Sequence, residues 1–183
     1  SVGVITDIVP DGEDLSRWDV QPTGGEYYTT HRSLYRTQVD VILPSGHAVL
    51  NGADALVAEF AELCDGQVIL YAADPATPAL VSHRSGNGRT VYVADGRIIM
   101  ASGQDEIRLC RLGDAPIIGK QKDAHTIANV LAAVATGWAL GLTQEVIVTG
   151  LKTFGIELPD PAALLPLSAQ KSPVAKKPAT HRN

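Results

Sequence analysis

The 183 residues suit one domain, or one domain with a tail, and a hydrophobic fraction of 45% is enough to build a sizeable core. A net charge of −5, with no basic run in the body, excludes the electrostatic footprint of a nucleic-acid binder. No leader-like segment and no apolar run of membrane-spanning length is present, so the expectation is a cytoplasmic protein without membrane or nucleic-acid partners.

The chain opens in a β-branched run, Val2–Ile8, that reads as a mostly buried strand of a parallel sheet. The only methionine is Met100, so a chain that starts inside a strand is expected to be a piece of a longer protein. Residues 10–25 carry proline, glycine and aspartate punctuation and read as a loop. Its first part, Pro10-Asp11-Gly12-Glu13-Asp14, begins three positions after Asp7, and acids just past a buried strand are a common way to hold a metal.

Residues 26–38 have helical character, followed by a short apolar run over 39–43 and a turn at Pro44-Ser45-Gly46. His47–Leu50 reads as a second strand. Ala53–Leu63 is predicted as one helix with Leu56, Val57, Phe60, Ala61 and Leu63 on its apolar face, stopped by Gly66 in a left-handed conformation. Gln67–Ala72 is a third strand. Alternation of strands with helices calls for parallel βαβ units, because a parallel connection needs a crossover.

The middle of the chain changes character. Arg89–Ala94, Arg97–Ser102 and Glu106–Leu112 are short alternating runs, and Asp95-Gly96 between the first two is a strong hairpin signal. A small antiparallel meander is therefore expected beside the parallel sheet. Ala124–Leu140 then carries Ile127, Val130, Leu131, Val134 and Trp138 at helical spacing, ended by Gly141. Thr143 caps a last helix with Val146, Ile147, Gly150, Leu151 and Phe154 on its inner side.

Domain organisation follows: residues 1–156 form the folded unit, and 157–183, rich in proline, alanine and lysine, form a disordered tail. From Ser168 onward the tail holds Lys171, Lys176, Lys177 and Arg182 without an acid; with these four charges set aside the body carries −9 rather than −5. Cys64 and Cys110 lack metal-ligand spacing and are expected as buried free thiols in a reducing compartment.

Several stretches, in order, resemble cyanophycin synthetases: Arg36-Thr37-Gln38-Val39-Asp40-Val41-Ile42-Leu43-Pro44-Ser45-Gly46, Ala48-Val49-Leu50-Asn51 and Ala61-Glu62-Leu63-Cys64-Asp65-Gly66. Asp95-Gly96-Arg97-Ile98-Ile99 and Asn129-Val130-Leu131-Ala132-Ala133-Val134-Ala135 continue the series. The likeness is to the Mur-ligase-like module of that family, over residues 2–154. It implies an α/β fold, with a parallel sheet of βαβ units and a small antiparallel meander, corresponding to the second half of a Mur ligase central domain of the P-loop type. It also implies an ATP-dependent ligase that joins arginine to the side-chain carboxylate of a poly-aspartate backbone through an acyl phosphate. The cofactors so implied are ATP and Mg2+; the partners are the cyanophycin polymer, arginine and copies of the chain itself in a homo-oligomer.

Residue by residue, the resemblance places His125 and Asn129 beside adenine, with Thr126 where the family has asparagine. The alternative is that both merely satisfy the helix start. Asn51 and Asp54 match a nucleotide-side motif whose first acid is Ala53 here, although Asp54 also suits a helix N-terminus without any ligand. Asp7 and Asp11 lie in the magnesium-holding loop, where Gly12 stands in place of a histidine ligand; a solvated acidic turn is the alternative. The sequence contains no Gly-Lys-Thr or Gly-Lys-Ser phosphate loop, so the isolated chain is expected to be inactive and no catalytic residue is assigned. Tyr27, Tyr28, His31, Arg32, Tyr35 and Arg36 look like a clustered site on a helix that could face substrate in a whole enzyme; the simpler reading is that Tyr28, Arg32 and Tyr35 sit along an amphipathic helix. Two rival readings stand beside the ligase: a non-catalytic structural or oligomerisation module of a degenerate Mur-like ligase, and an unrelated α/β binder of small molecules.

Overall fold

The computed structural model describes residues 1–8 and 31–156. Six strands form one sheet in sequential order: β1 (Val2–Ile5), β2 (His47–Asn51), β3 (Gln67–Tyr71), β4 (Arg89–Ala94), β5 (Arg97–Ser102) and β6 (Asp105–Arg111). β1 to β4 are parallel, while β4 to β6 are antiparallel. The switch follows from the connections. Helices α1 (His31–Asp40), α2 (Ala55–Ala58) and α3 (Pro78–Ser85) lie in the three parallel crossovers. Between β4 and β5 there is only a two-residue turn, with Asp95 at φ 50° and Gly96 at φ 69°, which fixes an antiparallel pair.

Alternate strand residues feed two cores. Ile5, Ala48, Leu50, Leu70, Tyr92 and Ile99 meet Val39, Ile42, Val57, Phe60 and Leu80 on one face. Val49, Ile69, Tyr71, Val91, Ile98 and Met100 meet Leu131, Val134 and Ala135 on the other. These last belong to α5 (Ala124–Ala139), which is flanked by α4 (Pro116–Lys120) and α6 (Gln144–Thr153). The result is a three-layer α/β arrangement, as the periodicity required.

Several local expectations are corrected. β1 ends at Ile5, not Ile8, and the apolar run after the first helix is partly its own last turn, since α1 extends to Asp40 and buries Val39. The single helix expected over 53–63 starts at Ala55 and tightens at Glu59 into a 3-10 segment, leaving Leu56 and Leu63 exposed. Gly66 is not left-handed; it is required by close packing, because an added Cβ would stand 2.7 Å from the Gly46 carbonyl oxygen and 2.9 Å from that of Leu43. Gly141, at φ 73°, does end α5 as expected. Helices α3 and α4 were not legible in the sequence. Cys110 is buried, but Cys64 is only half-buried; both are free thiols. The acidic loop beyond Ile8, including Asp11, and the tail expected to be disordered lie outside the described residues. Among the described residues no helix is long and apolar enough to cross a membrane.

Candidate functional site

The direction of α5 decides what meets at the sheet edge. Arg89 opens β4, and its guanidinium lies 3.8 Å from the Trp138 ring centroid while Nη2 donates to the Trp138 carbonyl at 3.4 Å. Burial lowers the pKa of this guanidinium from its ordinary value. Trp138 is in the last turn of α5, so the helix ends over the start of β4. The chain enters it from the opposite edge, where β6 ends at Arg111 beside the ends of the parallel strands; α5 thus runs antiparallel to those strands. Its first turns, with His125 and Asn129, therefore lie where β1 to β4 end. Asp7, Asn51 and Asp54 leave the sheet at the same edge. In open α/β sheets this carboxyl edge is where ligands bind.

The two candidate residues at the exit of β2, Asn51 and Asp54, are committed to the backbone. Asn51 Nδ2 donates to the Thr6 carbonyl at 2.8 Å, and its Oδ1 accepts from the Ala53 amide at 3.0 Å. Asp54 is the N-cap of α2, accepting from the Leu56 and Val57 amides at 2.9 and 3.3 Å, and its other oxygen accepts from the Ile8 amide at 3.4 Å. Both side chains thus tie the exit of β1 to the exit of β2. The helix-charge reading of Asp54 is what the geometry supports, with a cross-strand bond added to it.

Asp7 is differently placed. It is exposed, and Oδ1 accepts from the Thr6 hydroxyl at 2.6 Å, so its carboxylate retains capacity for a ligand. Among the described residues no group of three or more His, Cys, Asp or Glu could hold a metal. The fit to magnesium is accordingly limited to one carboxylate meeting a largely hydrated or phosphate-bound ion.

The start of α5 is satisfied by neither residue singled out in the sequence. Asp123 is its N-cap, accepting from the Thr126 amide at 2.6 Å, and that hydrogen bond holds the Asp123 carboxyl below its ordinary range. His125 and Asn129 are exposed. Asn129 lines an apolar groove between α4, α5 and α6. The reading in which they merely cap the helix is thus displaced by Asp123.

Tyr71 was missed. It ends β3 in register with Asn51, is fully buried, and its hydroxyl has no hydrogen-bond partner among the described residues. Burial raises its pKa well above the ordinary phenol value, and the charges of Asp7 and Asp54 push the same way. A tyrosine near the end of a buried strand was the available signal. The aromatic helix resolves only in part: Tyr35 packs on the core and Arg36 pairs with Asp40 at 3.2 Å on the surface. His83 is accounted for by the Val68 carbonyl, 3.1 Å from Nε2.

No protein-family model matches the chain. A cyanophycin synthetase from Synechocystis is 32% identical over 115 residues, covering 63% of this chain and 13% of that protein. One from Crocosphaera subtropica is 30% identical over 115 residues, with the same two shares. A UDP-N-acetylmuramoylalanine–D-glutamate ligase from Pelotomaculum thermopropionicum is 29% identical over 154 residues, covering 84% of this chain and 29% of the ligase. The chain therefore spans 13% of the length of these synthetases and 29% of that ligase. Two groups of ligases share its sequence, and their likeness agrees with the α/β sheet and its appended meander. The chain thus resembles both cyanophycin synthetases and UDP-N-acetylmuramoylalanine–D-glutamate ligases, a likeness to ligases with a Mur-ligase-like module.

Proposed function

We propose that the chain is the second half of a nucleotide-binding central domain in an ATP-dependent amide ligase that joins arginine to the side-chain carboxylates of a poly-aspartate backbone. In that reaction the γ-phosphoryl of ATP passes to a carboxylate oxygen, and the arginine α-amine then displaces phosphate as the amide bond forms. The observation that supports this reading is the antiparallel run of α5, which brings His125 and Asn129 to the edge where Asp7, Asn51 and Asp54 leave the sheet. The exposed Asn129 carboxamide offers a donor and an acceptor to a purine edge, with His125 one turn before it. Asp7 is the described carboxylate left to meet the shell of a magnesium ion, and Asp11 is its companion from the adjoining loop. Asn51 and Asp54 contribute by holding the two strand exits together. A cytoplasmic location and a homo-oligomeric assembly belong to the same proposal.

The isolated chain, without a phosphate loop of its own, binds nucleotide weakly and does not turn over. Thermal unfolding with and without millimolar ATP and Mg2+ tests this, because a ligand that binds only the native state raises the midpoint. A rise that disappears in Asn129→Ala supports the half-site. ATP-dependent arginine incorporation by the isolated chain would contradict its inactivity. One observation favours a second reading, a non-catalytic structural module: the side-chain oxygens of Asn51 and Asp54 already accept bonds from backbone amides. An unchanged midpoint at millimolar nucleotide selects that reading.

A further inference from the structure

The sequence assigns Val146, Ile147, Gly150, Leu151 and Phe154 to the inner side of α6, yet Val146 is 53% and Phe154 63% exposed. What the helix leaves uncovered is a groove with a volume of about 370 Å³, bounded by Ile117 of α4, Val130 and Ala133 of α5, and Leu142, Leu151 and Phe154 around α6. Among the described residues its lining is almost wholly apolar, with Thr126 and Asn129 the polar side chains. A concave apolar surface of this size is unfavourable to leave in water.

The exit of the chain is pinned across this groove. Gly155, at φ 76°, reverses the backbone after α6, and its carbonyl accepts from Lys120 Nζ of α4 at 2.8 Å. The described residues thus end at Ile156, next to a carbonyl held by α4 at the border of the groove, and residues 157–183 follow. They include the most apolar stretch of the tail, Ala162-Ala163-Leu164-Leu165-Pro166-Leu167, before the basic segment begins. Eight residues separate Ile156 from Leu164, a reach of up to roughly 27 Å at about 3.3–3.6 Å each. The ten residues of α6 span only about 15 Å. Reach is therefore ample, and tethering makes the local concentration of the segment high.

We propose that residues 162–167 of this same chain occupy the α4–α5–α6 groove, with Leu164 and Leu165 as the inserted side chains. The inference is independent of the nucleotide reading, since it rests on the groove, the pinned exit and the apolar segment alone. The test uses the full chain and the Leu164→Asp/Leu165→Asp double variant, with Lys176→Glu/Lys177→Glu as a control outside the segment. The double variant is expected to raise the fluorescence of an apolar-surface dye severalfold and to speed amide hydrogen exchange in residues 144–153. The control leaves both unchanged. Equal dye binding and exchange in the full chain and the double variant overturn the proposal. So does dye exclusion that weakens on dilution in step with dissociation of a dimer in sedimentation, because the groove is then filled by a second copy.

Discussion

Asn51 holds the backbone of Thr6, forty-five positions away, through a hydrogen bond of 2.8 Å from its amide nitrogen. The same side chain accepts from Ala53, so one carboxamide fixes both the end of β1 and the turn after β2. Asp7, the next residue after Thr6, is the described carboxylate with capacity left for a ligand. Asn51 therefore helps to position the exit of β1, where Asp7 stands.

Replacement of Asn51 by Ala removes the donor to the half-buried Thr6 carbonyl and the acceptor for the exposed Ala53 amide. The expected loss is about 1–3 kcal/mol of unfolding free energy, the cost of leaving such groups unsatisfied. Urea denaturation of the two proteins measures it. Asn51→Asp keeps the acceptor for Ala53 but sets a carboxylate oxygen against the Thr6 carbonyl, so it should be at least as destabilising as Ala. A pure nucleotide-contact role predicts no change in stability for either variant.

Gly66→Ala is expected to destabilise the protein by about 1–3 kcal/mol, the usual cost of overpacking a filled site. The added methyl would meet the carbonyl oxygens of Gly46 and Leu43 and the Cγ2 of Ile42, all at 2.7–2.9 Å. Backbone carbonyls cannot rotate away as a side chain does. A left-handed Gly66 would instead predict strain from φ alone, and the structure gives it no positive φ. Thermal or urea unfolding measures the loss, and a neutral substitution would show that the turn at 43–46 can move.

Gly66 also marks the limit of what the sequence could tell. Where one local rule decides the structure, the reading holds: Asp95-Gly96 requires positive φ in a tight turn, and alternating strands and helices require parallel pairing. Where a distant segment decides, it fails. Gly66 is explained by Gly46, twenty positions earlier, which no local pattern reveals. Helices α3 and α4 escaped because each begins with a proline, Pro78 and Pro116, that also reads as loop punctuation. At the site, sequence placed His125, Asn129, Asn51, Asp54 and Asp7, and the topology brings them to one edge. Which of them are already engaged, and that Tyr71 joins them, depends on contacts between strands remote in the chain.

A pH dependence is expected at Tyr92. Arg84 donates to its hydroxyl at 2.8 Å, and the hydroxyl donates to Glu106. Burial first, and then the bond to Glu106, push its pKa from 10 up to about 12. The native state thus holds the phenolic proton more tightly than the unfolded chain does. Its stabilising contribution is complete below pH 10 and is lost as pH rises toward about 12. Tyr92→Phe should be less stable than wild type at neutral pH, and the gap should shrink between these two values. A gap that stays constant through that window would remove Tyr92 as its source.

In the complete ligase, the proposed roles of Asn129 and Asp7 separate kinetically. Asn129 lies on the first turns of α5 and would contact only the base, which does not change during phosphoryl transfer. Such binding is uniform between ground and transition state, so Asn129→Ala should raise KM for ATP and leave kcat nearly intact. Asp7 would act on the ion whose neutralising effect grows as charge shifts between phosphates and carboxylate. Asp7→Asn should therefore lower kcat, by about 10–100-fold on the scale of altered metal-site partners. Raising Mg2+ should recover part of that loss in Asp7→Asn and none of the KM defect in Asn129→Ala. Steady-state kinetics over ATP and Mg2+ concentration distinguishes the two, and an Asp7→Asn enzyme with unchanged kcat would leave the acidic loop without a part in the reaction.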